Sequence, residues 1–243
     1  MSLTLNHILL ILSGYYLGFL IFIGLLHLIP GIHKEFIRKS YHVMCAVGNV
    51  IIISISDQWH TALIIHVSIF GLAFILLKVF SKTRFITSLY LDRNWGTQEI
   101  SKQLIFFIFT FSLSVFLFWG YLGETYKGIA SFGFLLWGVG DAAAAIIGKL
   151  YGTIRLKRFL FLLSSNKSFQ GCLGLFISTF VTALLALPHY LELPGFWSSL
   201  PGLILLAFMI AIVAGITETV SVYGSDTISF PLAVSLFTYL LIS

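Results

Sequence analysis

Gly128-Ile-Ala-Ser-Phe-Gly-Phe-Leu-Leu-Trp-Gly-Val-Gly-Asp141-Ala-Ala-Ala-Ala-Ile-Ile147 carries one charge, the carboxylate of Asp141, in an otherwise apolar run. Wound as a helix at about 1.5 Å per residue, the stretch is about 30 Å long, matching a bilayer's hydrocarbon core. It is therefore expected to span a membrane. A carboxylate inside such a span costs several kcal/mol unless it faces a protein interior, a cation or a wet cavity. Asp141 is a functional candidate on that ground alone.

The rest of the chain has the same character. It is 58% hydrophobic and 9% charged, with a mean hydropathy of +1.01, which excludes an ordinary soluble domain. Eight apolar runs are expected as spans: Leu3–Leu28, Tyr41–Ile55, Thr61–Phe80, Leu104–Trp119, Gly128–Ile147, Gly171–Leu187, Gly202–Thr217 and Ile228–Ile242. The second and eighth are short, which leaves tilted, broken or interfacial helices open there. The expected fold is an all-α polytopic membrane protein, one domain over residues 1–243. The first run lacks a basic leader and a small-residue cleavage site, so it is expected to be a true span.

Eight spans put nearly all cations on one side. Lys34, Arg38 and Lys39 follow span one; Lys78, Lys82, Arg84, Arg93 and Lys102 flank the loop after span three. Lys149, Arg155, Lys157, Arg158 and Lys167 follow span five, and only Lys127 lies opposite, with Asp57, Glu124 and Glu192. The positive-inside rule makes the basic side cytoplasmic and both termini external. Part of that basic surface is expected to serve topology and contact with anionic membrane lipids. Cys45 and Cys172 fall near cytoplasmic span ends and form no disulfide framework. The Asn166-Lys-Ser168 sequon lies on the side that is not glycosylated, and no internal repeat is visible.

The remaining polar residues gather at that same side. Arg38, Lys39 and His42 open span two; Asn166, Lys167 and Ser168 lead into span six; Glu218 closes span seven; Asp226 and Thr227 open span eight. Small residues at helical spacing are expected to bring the spans together. These are Ala144, Ala145, Gly148 and Gly152 on span five, and Gly171, Gly174, Ser178 and Thr182 on span six. On span seven they are Ala207, Ala211 and either Ala214 or Gly215. Asp141, Glu218 and Asp226 would repel one another if gathered without a cation, and Mg²⁺ takes carboxylate and phosphate oxygens together. Spans two, four, six and eight also present helix N-termini to that side. A phosphorylated ligand with a divalent cation fits this balance. Lys167 and Ser168 suggest a phosphate cradle capped by Ser164, Ser165 or Asn166, with Arg38 and Lys39 as further phosphate donors. There is no Gly-x-x-x-x-Gly-Lys-Ser/Thr loop, no dinucleotide-binding βαβ setting, no Ser-His-Asp or His-Glu-x-x-His arrangement, and no nucleic-acid partner is expected.

Four blocks resemble the membrane-embedded CTP-dependent polyprenol kinases: phytol kinase, dolichol kinase and the CTP-using diacylglycerol kinase. Glu35-Phe-Ile-Arg38-Lys39-Ser-Tyr-His42 is similar to the family's Glu-x-x-Arg-Lys-x-x-His. Gly140-Asp141-Ala142, with Ala145, Gly148 and Gly152, resembles its Gly-Asp-x-x-Ala-x-x-x-Gly block. Asn166-Lys167-Ser168-Phe-Gln170-Gly171 resembles Lys-Ser/Thr-x-Glu-Gly. Glu218 through Tyr223-Gly-Ser-Asp226-Thr227-Ile-Ser-Phe-Pro231 resembles a block that usually ends Asp-Asn-x-x-x-Pro. Gln170 and Thr227 replace the usual Glu and Asn.

The resemblance implies transfer of the γ-phosphate of CTP, or another nucleoside triphosphate, to a long-chain isoprenoid alcohol or diacylglycerol. It implies Mg²⁺ on Asp141, Glu218 and Asp226, with Glu218 as third ligand or as base for the hydroxyl proton. Arg38, Lys39 and Lys167 would hold the triphosphate, with Ser168, Gly140, Gly148 and Gly171 around it, and His42 would orient a phosphate or the acceptor. The alternatives are a phosphatidate cytidylyltransferase, a transporter or an inactive homologue. Transporters place ligands near the midplane between repeated halves; these residues cluster at one surface.

Overall fold

The computed structural model describes residues 5–80, 97–156, 167–221 and 224–243. Its helices are α1 (Leu5–Leu28), α2 (Lys34–Ile55), α3 (Trp59–Phe80), α4 (Thr97–Ser114), α5 (Lys127–Tyr151), α6 (Phe169–Tyr190), α7 (Leu200–Val220) and α8 (Asp226–Ile242). α4 continues through wider π-helical turns, Val115–Tyr121. Among the described residues the one β-type pairing is an isolated antiparallel contact between Arg155 and Ser168. Among the described residues seven helices are long and apolar enough to cross a bilayer, and α8 is a shorter apolar helix of 17 residues. The protein is an all-α polytopic membrane protein.

The second span is not short. Helix α2 begins at Lys34, seven residues before the apolar run, because Pro30 and left-handed Gly31 (φ 78°) turn the chain and the His33 ring then accepts the Glu35 N–H. Arg38, Lys39 and His42 thus stand on the first turns of a 22-residue helix. α6 and α7 start on serine caps: Ser168 accepts from Gly171 N, and Ser199 from Gly202 N.

Helix α5 is the centre. Two-thirds of its most apolar window is buried (67%), against 39% or less for every other span. It packs mainly on α6 and α2, then on α8. Close approach explains its glycines: a Cβ on Gly138 would lie 2.4 Å from that of Ala46 on α2. On α6 the buried stripe runs Gly171, Gly174, Leu175, Thr179, Ala183. The expected Ser178 and Thr182 each lie one residue before this stripe and are half-buried. On α7 the stripe is Ala207, Ala211, Ala214, ending at Glu218, while Gly215 faces open space.

α2 and α5 run antiparallel. Lys127, opening α5, donates to the Ser56 carbonyl just beyond the end of α2 (2.7 Å). Lys39, near the start of α2, meets Asp141. Lys127 and Lys39 therefore lie at opposite ends of the bundle. α5 is well covered as far as Ala142, then continues to Tyr151, about 13 Å further at the normal helical rise.

Candidate functional site

Asp141 is 5% exposed, and its Oδ2 accepts from Lys39 Nζ at 2.5 Å; Lys39 itself is 4% exposed. The four-methylene stem of Lys39 allows this depth, because its apolar length packs in the bundle while the ammonium finds an anion. His42, three residues along the same face of α2, has Nδ1 3.1 Å from the same oxygen, at an angle that makes no hydrogen bond. The imidazole leans on the Trp137 indole, with ring centroids 5.4 Å apart.

A second pair comes from α7 and the entry to α6. Lys167 Nζ lies 2.8 Å from Glu218 Oε1 and donates to the Glu218 carbonyl and, at 3.2 Å, to the Ser221 carbonyl. Those carbonyls are orphaned at the C-terminus of α7, so the ammonium caps the helix as well as neutralising its carboxylate. Glu218 is buried, and its Oε2 has no hydrogen-bond partner. Asp226 opens α8. One oxygen from each of Asp141, Glu218 and Asp226 lies within 4.8 Å of the others. Beside Asp226, Pro231 lacks an N–H and leaves the Thr227 carbonyl without its usual helical donor.

Three carboxylates thus face two ammonium groups in a closed place. The donor set fits a divalent cation. Hard cations take several oxygens, and the unpartnered Glu218 Oε2 is costly to bury unused. Asp141, Glu218 and Asp226 would hold such an ion.

The other expected site residues divide. Ser168 caps α6, its hydroxyl accepting from Gly171 N at 3.1 Å, so the cap is Ser168 itself. Ser164, Ser165 and Asn166, expected as caps, lie outside the described residues, as does Tyr223. Gly148 and Gly171 meet where α5 crosses α6: a Cβ on Gly171 would lie 3.2 Å from Gly148 Cα and 2.8 Å from the Ala144 carbonyl. Gly140 packs on Thr179 and Phe230. These glycines set the helix spacing that brings Ser168 and Lys167 to the site. Arg38 is held by Glu35 one turn earlier through both carboxylate oxygens, and its side chain is one-third exposed (33%). Gln170 ties α6 to the end of α5: its Oε1 accepts from the Thr153 and Ile154 N–H groups, and its Nε2 reaches the Thr153 hydroxyl.

Two contributors were absent from the sequence reading. Ser221 supplies a carbonyl to Lys167 and shares a 2.6 Å hydroxyl contact with Ser229. Trp137 walls the His42 side. Its position four residues before Asp141 puts it on the same helix face, which is the signal that could have found it. No protein-family model, no curated protein and no solved structure matches this chain.

Proposed function

We propose that the protein is a lipid-alcohol kinase that transfers the γ-phosphate of CTP, or another nucleoside triphosphate, to a long-chain isoprenoid alcohol or diacylglycerol. The observation that carries this reading is the convergence of Asp141, Glu218 and Asp226 within 4.8 Å, with Lys39 and Lys167 bonded among them. Phosphoryl transfer is mostly positioning and charge neutralisation, and these are the groups it uses. The four-block resemblance supports CTP as donor and a lipid alcohol as acceptor. The strong asymmetry of Lys and Arg supports a cytoplasmic active face, with both termini outside.

In this mechanism Mg²⁺, held by Asp141 and Asp226 with Glu218 as either third ligand or base, would offset charge on the phosphate oxygens. Lys39 and Lys167 neutralise the triphosphate, and Arg38 reaches it from the half-exposed rim. The acceptor hydroxyl oxygen forms a bond to the γ-phosphorus, the bond from that phosphorus to the β,γ-bridging oxygen breaks, and CDP leaves. Glu218 Oε2, which has no hydrogen-bond partner, accepts the hydroxyl proton. His42, backed by Trp137, orients the acceptor. The apolar tail stays in the grooves between helices, where lipid already lies.

The test supplies membranes with lipid alcohols and CTP labelled at the γ- or the α-phosphate. Lipid carrying γ-label is the expected result. Lipid carrying α-label instead would mean transfer of a CMP unit, as in a cytidylyltransferase, and would overturn the kinase reading.

A further inference from the structure

The two lysines assigned to phosphate are already engaged by the acids assigned to metal. Lys39 Nζ is 2.5 Å from Asp141 Oδ2, and Lys167 Nζ is 2.8 Å from Glu218 Oε1. An ammonium and a divalent cation cannot hold the same carboxylate oxygens together, because two cations that close repel in a dry interior. Free metal arriving alone must push Lys39 off Asp141 and strand a buried ammonium. A triphosphate arriving alone must draw Lys39 away and strand a buried carboxylate. Only the two together leave every charge with a partner.

We propose, building on the kinase reading, that Lys39 is a placeholder cation. It occupies the Asp141 face of the metal site in the ligand-free protein and passes to the triphosphate when metal and nucleotide bind together. The Lys stem suits the exchange, since it is flexible and carries a compact charge with three rotatable donors. Its neighbours are fixed differently. Arg38 is gripped at two points by Glu35, and Lys167 is anchored to two carbonyls as well as to Glu218. His42, 3.1 Å from Asp141 Oδ2, remains beside the carboxylate after the ammonium leaves. Lys39 thus keeps the site closed to free divalent metal and coupled to nucleotide.

The experiment measures free Mn²⁺ binding to the purified, detergent-solubilised protein by electron paramagnetic resonance, with and without the non-transferable analogue β,γ-methylene-CTP. In the wild type, free Mn²⁺ is expected to bind weakly. Lys39→Gln and Lys39→Met are each expected to bind free Mn²⁺ roughly tenfold or more tightly, the ordinary scale of coupling between sites. The same variants should bind the analogue more weakly. Opposite shifts in the two affinities are the signature, because a merely structural lysine would lower both. If Lys39 variants do not fold, the wild type carries the test: the analogue should tighten Mn²⁺ binding roughly tenfold or more, and equal Mn²⁺ affinity with and without it overturns the placeholder. Free Mn²⁺ affinity that falls or stays level in the folded variants overturns the placeholder. In that case metal binding seen with the analogue leaves the kinase reading standing. Absence of Mn²⁺ binding in every protein, with or without analogue, removes the metal site and the placeholder together.

Discussion

Helix α5 carries an ion pair towards each end, and the two are opposites. At its start, Lys127 lies 3.5 Å from Glu124 Oε1 and 4.1 Å from the centre of the Trp119 ring, and the Trp119 indole N–H donates to the same carboxylate. The Glu124 side chain is 67% exposed. Towards the other end, Asp141 and Lys39 have side chains only 7% and 4% exposed. Lysine, tryptophan and an open carboxylate form an interfacial anchor, which water completes. The Asp141 pair is buried away from solvent, with an unpartnered Glu218 oxygen nearby. Burial, more than residue type, separates an anchor from a site.

Replacing the buried carboxylate should have the largest effect. Asp141→Asn keeps the volume and removes the charge, and it is expected to lower γ-phosphate transfer by about a thousandfold or more, as loss of a preorganised charge at a transferring phosphoryl group does. The labelled-CTP assay measures this directly. Transfer at the wild-type rate would take Asp141 out of the chemistry.

One substitution made at both ends tests the comparison through stability. Lys39→Met leaves Asp141 buried without its main partner, and breaking a buried pair costs about 3–5 kcal/mol. Lys127→Met loses a hydrogen bond to Ser56, a cation–π contact and a solvent-screened pair, together about 2 kcal/mol. Unfolding both variants in the same micelles should give a much lower midpoint for Lys39→Met. Equal midpoints would mean that the two ends are energetically alike.

Ser168→Ala comes next. It removes the cap on α6, worth about 1 kcal/mol. Because Lys167 immediately precedes that cap, the variant should also raise KM for the nucleotide more than it lowers kcat. A purely kcat effect would show that the cap does not position Lys167.

Much of this was legible beforehand, for identifiable reasons. Spans announce themselves through hydropathy, and the helices fall where the apolar runs do. The start of α2 was missed because a hydropathy run ends at Lys39 and Arg38 while the helix does not; His33 and Gly31 set that boundary. Asp141, Glu218 and Asp226 could be named as a group because each is an acid at or near the basic end of an apolar run. Their mutual distance depends on how α5, α7 and α8 pack, which no local pattern contains. Glycines are the most ambiguous residues. Close approach to a phosphate and close approach to another helix need the same missing side chain, and Gly148 and Gly171 are spent on each other. Arg38 shows a similar ambiguity: Glu35, three residues earlier, is its helical neighbour, and the motif alone does not say that the two are paired.

The smallest expected effect lies at the open end. Glu124→Gln keeps an oxygen for the Trp119 N–H and removes only the charge facing Lys127. An exposed pair at 3.5 Å is screened by water and salt, so the change should be about 0.5 kcal/mol or less, with transfer activity intact. Thermal unfolding at low and high salt checks the first part, since any small loss should vanish as ionic strength rises, and the labelled-CTP assay checks the second. A loss of several kcal/mol, or of γ-phosphate transfer, would mean that the anchor end communicates with Asp141 along α5. The buried and exposed pairs would then belong to one device.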